Sequence, residues 1–246
     1  MKKASPLVFF FSLFVCLGLL LSLLFQHLEN SITLPTSQTK ERSPVIVLDA
    51  GHGGEDGGAT GVNGILEKDL NLSLTNALAA LLRGAGYTVV QTRTEDRLLY
   101  DANAKKGHKK QSDLENRLKI AEKYENAVFI SIHMNTFPQE SCQGMQVWYS
   151  QNDASSKVLA DALQSRVRSL LQPQNNRRTK AATSSIYLLK KAKCPAVLVE
   201  CGFLSNAEEC ALLSEPSYRQ KLALVLFDAI CLNLERGTCE SAENGV

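Results

Sequence analysis

The sequence carries no surplus of either charge. Its 246 residues hold 27 Lys and Arg against 25 Asp and Glu, a formal net charge of +2. The strong basic excess of a nucleic-acid-binding chain is missing, and nucleic acid is excluded as a partner. Seven cysteines are present, yet no two form a C-x-x-C pair, which leaves a thiolate zinc site or a thioredoxin-type motif without support. Cys16 lies in an apolar run, and Cys194, Cys201 and Cys231 sit inside or beside strand and helix patterns, where a free thiol acts as a small buried hydrophobe. Cys239 reads as exposed. No internal repeat is visible, and with 44% hydrophobic and 21% charged residues the composition is that of an ordinary folded chain.

The longest uncharged run is LVFFFSLFVCLGLLLSLLF, residues 7–25, behind Lys2 and Lys3. It is long enough to span a bilayer as a helix, and no small-residue cleavage site follows it. The reading favours an uncleaved anchor, residues 1–25, over a cleaved signal peptide. The two lysines keep the N-terminus in the cytoplasm. Residues 26–43 are polar and without period, a flexible tether. A folded domain over residues 44–236 follows, then a short tail, 237–246. The domain is expected outside the cytoplasm, anchored through residues 7–25 or exported by them.

Within the domain, strand patterns alternate with helical ones. VIVLD (45–49), YTVVQT (87–92), AVFISIH (127–133), GMQVWYS (144–150), IYLLKK (186–191) and PAVLVEC (195–201) read as strands. LEKDLNLSLTNALAALLRGAG (66–86), DLENRLKIAEKYE (113–125) and SSKVLADALQSRVRSLL (155–171) read as helices, with a helical end from about Glu208 to Leu234, broken near Pro216. On the third helix Val158, Leu159, Ala162, Leu163, Val167 and Leu170 form the face expected on the sheet. The fold class is α/β: a single domain with a mostly parallel central sheet flanked by helices on both faces, preceded by the N-terminal anchor helix.

VLDAGHGGEDGGATG (47–61) packs six glycines around one histidine. Glycine weakens regular elements, so this density calls for a reason. In a sheet of this kind sites form at the carboxyl ends of the strands. His52 follows the first strand, His133 ends the third, Glu200 ends the last, and Glu67 opens the first helix. Two imidazoles and a carboxylate make a known catalytic zinc set that leaves a position for water, and a further carboxylate can serve as base. Each residue also has a plainer reading: the loop as a turn or a phosphate cradle, His133 as a structural strand-end residue, Glu67 as an acid favoured at a helix start. The loop matches neither the dinucleotide nor the P-loop spacing. Glu200 resists the plain reading, because a carboxylate inside PAVLVECGF is costly to bury without a task.

The stretches VIVLDAGHGGEDGGATG, LEKDLNL, QTR, ENRLKIA, FISIHMN and PAVLVECGFLSN, in this order over residues 45–235, resemble the motifs of zinc-dependent N-acetylmuramoyl-L-alanine amidases with the Amidase_3 catalytic domain. The resemblance implies one Zn2+ held by His52, Glu67 and His133, with Glu200 as catalytic base. The implied reaction is hydrolysis of the amide between N-acetylmuramic acid and L-alanine of the peptidoglycan stem, so peptidoglycan and muropeptides are the implied partners. Arg93 and Arg117 match family positions as structural or substrate-facing residues, and Asn135, two beyond His133, is a further substrate-facing candidate. Met134 stands where the family has alanine, and Arg178 and Thr179 stand where a glycine commonly follows an arginine; both departures bear on substrate contacts. Relatives under divisional control carry an inserted helix that plugs the zinc. Here 150–177 holds one helix and a short loop, so an open cleft needing no activator protein is expected.

Two alternatives come from other classes. Ser37 and Lys40 form an S-x-x-K tetrad, the start of a penicillin-binding serine peptidase, but they lie in the tether and no K-T-G accompanies them. A membrane-anchored wall-binding module with a decayed site is the other. The basic run KKGHKK (105–110) reads as a solvated loop with reach to stem-peptide carboxylates.

Overall fold

The computed structural model describes residues 43–243, with side chains through residue 235. The expected anchor, all but the last residue of the tether, the Ser37–Lys40 pair and Cys16 lie outside the described residues, as does the side chain of Cys239. Among the described residues no helix is long and apolar enough to cross a membrane.

Among the described residues six strands and six helices follow one another as β1 (Val45–Ala50), α1 (Glu67–Gly84), β2 (Val89–Gln91), α2 (Lys109–Ala121), β3 (Ala127–Asn135), β4 (Gln146–Tyr149), α3 (Ser155–Leu170), β5 (Lys180–Ala181), α4 (Tyr187–Lys191), β6 (Ala196–Phe203), α5 (Ala207–Ser214) and α6 (Pro216–Glu243). They form one sheet in the order β2-β1-β3-β6-β4-β5. The first four strands in that order are mutually parallel, and β4 runs antiparallel to β6 with β5 parallel to it. The mostly parallel α/β domain expected from the sequence is the one observed.

Strand alternation divides the sheet's side chains between two cores. Ile46, Leu48, Ile130, Ile132, Val147 and Val199 face one side and are buried with leucines of α1, α3 and α6. Val47, Phe129 and Leu198 face the other, with Leu118 of α2 and Leu188 and Leu189 of α4. In α1 the leucines at 70, 74, 78 and 82 recur every fourth residue and are all buried, which keeps one stripe on the sheet. Glu67 and Asp69 occupy its first turn, where the helix dipole favours acids.

Several elements depart from the expectations. IYLLKK is mostly helix α4, not a strand: Leu188 and Leu189 are adjacent and both buried in the same core, whereas a strand would send them to opposite faces. Moreover, β6 already has a partner on each side, β3 and β4, so no free edge adjoins it. On α3 the packed face is Ser156, Leu159, Ala160, Leu163, Gln164 and Val167, whereas Val158 and Leu170 are more than half exposed. Polar residues take part because Gln164 serves backbone, accepting from Val147 N–H at 3.0 Å and donating to Met145 O at 2.9 Å. The C-terminal helix breaks at Pro216 as expected, with proline at the first helical position, and continues to Glu243, past the expected boundary at 236. Cys201 is buried and free, but Cys194 and Cys231 are only half-buried.

Candidate metal centre

The second face of the sheet changes character toward the carboxyl ends of β1, β3 and β6. Below, it is apolar and covered by α2 and α4. Above, Asp49 and Ser131 sit side by side, and the next row places His133 beside Glu200 and Glu200 beside Gln146. Gly51 continues that row on the β1 side, its N–H bonded to Ile132 O at 3.0 Å. Backbone pairing alone therefore sets His133, Glu200 and Gln146 on three adjacent strands, facing one way.

Glu67 reaches this row from the start of α1 and His52 from the loop after β1. His133 Nδ1 lies 2.9 Å from Glu67 Oε1, and His52 Nε2 lies 3.2 Å from Oε2. One donor atom from each of the three residues lies within 4.8 Å of the others. The carboxylate is fixed by N–H groups as well: Ala59 N donates to Oε2 at 2.8 Å, and Met134 N and Asn71 Nδ2 donate to Oε1 at 3.1 and 3.2 Å. Burial would raise the pKa of Glu67, but the two imidazoles outweigh it and hold the carboxyl well below its ordinary range. Burial depresses His52 in turn, and Glu67 with Asp56 outweighs that, leaving the imidazole above its ordinary value. Asp56 Oδ1 lies 2.9 Å from His52 Nδ1, at ion-pair distance but without the alignment of a hydrogen bond.

Two glycines explain part of the loop's composition. A Cβ on Gly51 would stand 2.2 Å from the His133 ring, and one on Gly58 would stand 2.5 Å from Glu67 Oε2 and 2.8 Å from His52 Cδ2. Bare backbone thus makes the space the donor groups occupy. Two imidazoles and a carboxylate converging in such a cradle fit a zinc ion by donor type and number.

Glu200 differs from Glu67. Its Oε2 is shut off from solvent and has no hydrogen-bond partner. Burial pushes its carboxyl up to about 7; His133 opposes that rise and Glu67 adds to it. A group poised there suits proton exchange at neutral pH. Gln146 was not foreseen. It is buried next to Glu200, donating Nε2–H to Arg178 O at 2.8 Å. Its signal was one amide among the apolar residues of GMQVWYS.

Other candidates are corrected by burial. Arg93 and Arg117 are each 1% exposed and are structural, not substrate-facing: their guanidinium groups bind backbone carbonyls and carboxylates inside the domain. Met134 points away from the site into the core, so its exchange for alanine alters packing and not a substrate contact. Asn135 is half-buried at the end of β3, its carbonyl accepting from Leu204 N–H at 2.8 Å. Arg178 is exposed, and Thr179 donates to Asp161 at 2.6 Å. The basic run is not simply a solvated loop, since Lys109 pairs with Glu55 and Lys110 with Asp56.

Comparison with known proteins gives a consistent result. The family model described as N-acetylmuramoyl-L-alanine amidase, Amidase_3, matches residues 46–231. The germination-specific N-acetylmuramoyl-L-alanine amidase of Bacillus subtilis is 35% identical over 187 residues, covering 76% of this chain and 78% of that protein. Among solved structures, the CwlD amidase of Clostridioides difficile, in complex with the GerS lipoprotein, aligns with a TM-score of 0.74 at 38% identity, over 78% of this chain and 98% of that one. The amidase AmiC2 of Nostoc punctiforme aligns at 0.68 and 29% identity, over 78% and 98%.

Proposed function

We propose, for a chain that belongs to the Amidase_3 family of N-acetylmuramoyl-L-alanine amidases, that it cleaves the amide between N-acetylmuramic acid and L-alanine with a zinc ion held by His52, Glu67 and His133 and with Glu200 as base. The observation that carries this reading is the convergence of three donor residues within 4.8 Å, one strand away from Glu200, whose Oε2 is shut off from solvent and has no hydrogen-bond partner. When bound, zinc would polarise the scissile carbonyl and acidify a water.

This chain's residues divide the remaining work. Glu200 Oε2, shut off from solvent and without a hydrogen-bond partner, takes the proton of the attacking water and returns it to the departing amine of alanine. Glu67 stays ionised beside two imidazoles and is unsuited to carry that proton. Asp56, held down to about 2 because Lys110 and His52 outweigh its burial, keeps negative charge on the far nitrogen of His52 and favours its Nδ1–H tautomer.

The domain acts outside the cytoplasm, tethered or exported through residues 7–25, and needs no activator. The stretch between β4 and β5 supports the latter point: α3 buries its face in the core, and the loop after it is tied down by Asn175, which donates to Met145 O at 2.8 Å. The structure of CwlD with its lipoprotein makes the test two-armed. Chelator-treated full-length protein is reloaded with zinc and given muropeptides, with and without a lipoprotein partner. Zinc-restored turnover in the absence of the partner supports the reading. Turnover only with the partner overturns the activator-free part, and no turnover in either arm leaves the wall-binding module.

A further inference from the structure

His52 is the one residue other than glycine with positive φ among the described residues, at 60°. A side chain there persists only when its surroundings over-determine the backbone. The loop's carbonyls show how. Leaving the sheet, the backbone from Ala50 to Gly54 loses its ladder partners, and each oxygen must find another donor. Ala50 O accepts from Arg93 Nε at 2.9 Å and Arg117 Nη1 at 2.7 Å. Gly51 O accepts from Arg93 Nη2 at 2.9 Å and Asn71 Nδ2 at 3.1 Å. His52 O accepts from Arg117 Nη2 at 2.8 Å. Gly53 O accepts from Asp56 N–H at 3.0 Å, and Gly54 O from Lys68 Nζ at 2.8 Å.

We propose that Arg117 and Arg93 are positioning residues of the metal centre, which fix the left-handed turn at His52 by holding the carbonyls of residues 50–52 and so set the affinity for the ion. The inference rests on the metal reading above and extends it to residues that touch neither ion nor substrate. Every N–H of Arg117 is committed: Nε and Nη2 to Asp113, Nη1 to Asp49 and Ala50, Nη2 also to His52. Asp49 is itself held by Thr92 and Ser131, so the guanidinium cannot swing away. The planar fork with five donors is what this geometry uses, and an ammonium with three cannot reproduce it.

Arg117→Lys and Arg93→Lys keep the charge and remove the fork. In full-length protein shown by circular dichroism to be folded, zinc affinity is measured by chelator competition, and the visible spectrum of the cobalt-substituted protein reports ligand geometry. Each variant should bind zinc about 10- to 100-fold more weakly and shift the cobalt spectrum. Val167→Ala, a core change in α3 remote from the loop, serves as control: it lowers thermal stability and should leave zinc affinity unchanged. If Arg117→Lys does not fold, Arg93→Lys, which leaves Asp49 paired, decides. Folded variants with wild-type zinc affinity would overturn the proposal while the metal reading stands. A wild type that takes up no zinc overturns the metal reading and the clamp together.

Discussion

His133 and Glu200 are register partners on the parallel strands β3 and β6, so the proposed metal donor and the proposed base are held one inter-strand spacing apart, about 4.8 Å between backbones. No loop motion is needed to bring them together. The division of labour across that pair can be tested residue by residue.

His52→Ala or His133→Ala should lose stoichiometric zinc and activity together, because two remaining donors hold the ion weakly. Elemental analysis of the folded variants checks it. Full zinc content in either variant contradicts the assignment.

The glutamates should separate. Glu200→Gln keeps zinc and loses about 10²–10⁴-fold in rate, the usual worth of a general base. Glu67→Gln should weaken zinc retention instead, since the carboxylate that lies between the two imidazoles is the third proposed donor. Zinc release by Glu200→Gln with retention by Glu67→Gln would exchange the roles.

Glu200 also makes a pH prediction for chelator-treated protein. Its carboxyl rises from 4.5 unfolded to about 7 folded, mainly through burial. The folded state therefore binds the proton more tightly, and stability is lost as pH climbs between those values, by at most about 3 kcal/mol. Glu200→Gln removes that loss. Its melting temperature should match wild type near pH 4 and exceed it at pH 8; a gap that narrows as pH rises would contradict the burial argument.

The glycine cradle gives a steric prediction. Gly51→Ala places a Cβ 2.2 Å from the His133 ring, so the ring must leave its seat and zinc affinity should fall by at least about tenfold, the range in which metal-site support residues act. Gly84→Ala, with nothing within 4 Å of the new Cβ at the end of a helix, should leave zinc affinity intact and stabilise slightly. Chelator competition on both variants distinguishes a cradle from a merely flexible loop.

Much of this was legible in the sequence because it follows from period and punctuation. The leucines of α1 repeat every fourth residue and the strands of the core are β-branched runs, so the layers and the strand exits bearing His52, His133 and Glu200 could be placed. Family resemblance then supplied their roles. Other features depend on where chains meet. IYLLKK has no period that tells a short helix from a strand, and the burial of Leu188 and Leu189 in one core decides it. Arg93 and Arg117 looked able to face substrate because an arginine in sequence carries no sign of burial; what buries them is a set of backbone carbonyls left unpaired after β1. Gln146 needed the antiparallel pairing with β6 before its neighbour was known.

The most direct measurement is digestion of purified muropeptides by the full-length, zinc-loaded protein in heavy-oxygen water, with mass spectrometry of both products. The account predicts one heavy oxygen in the lactyl carboxylate of the muramic acid, an unlabelled peptide with a free N-terminal alanine, and no products after chelation. Label in a carboxylate of the peptide, or cleavage that survives removal of the metal, would contradict it.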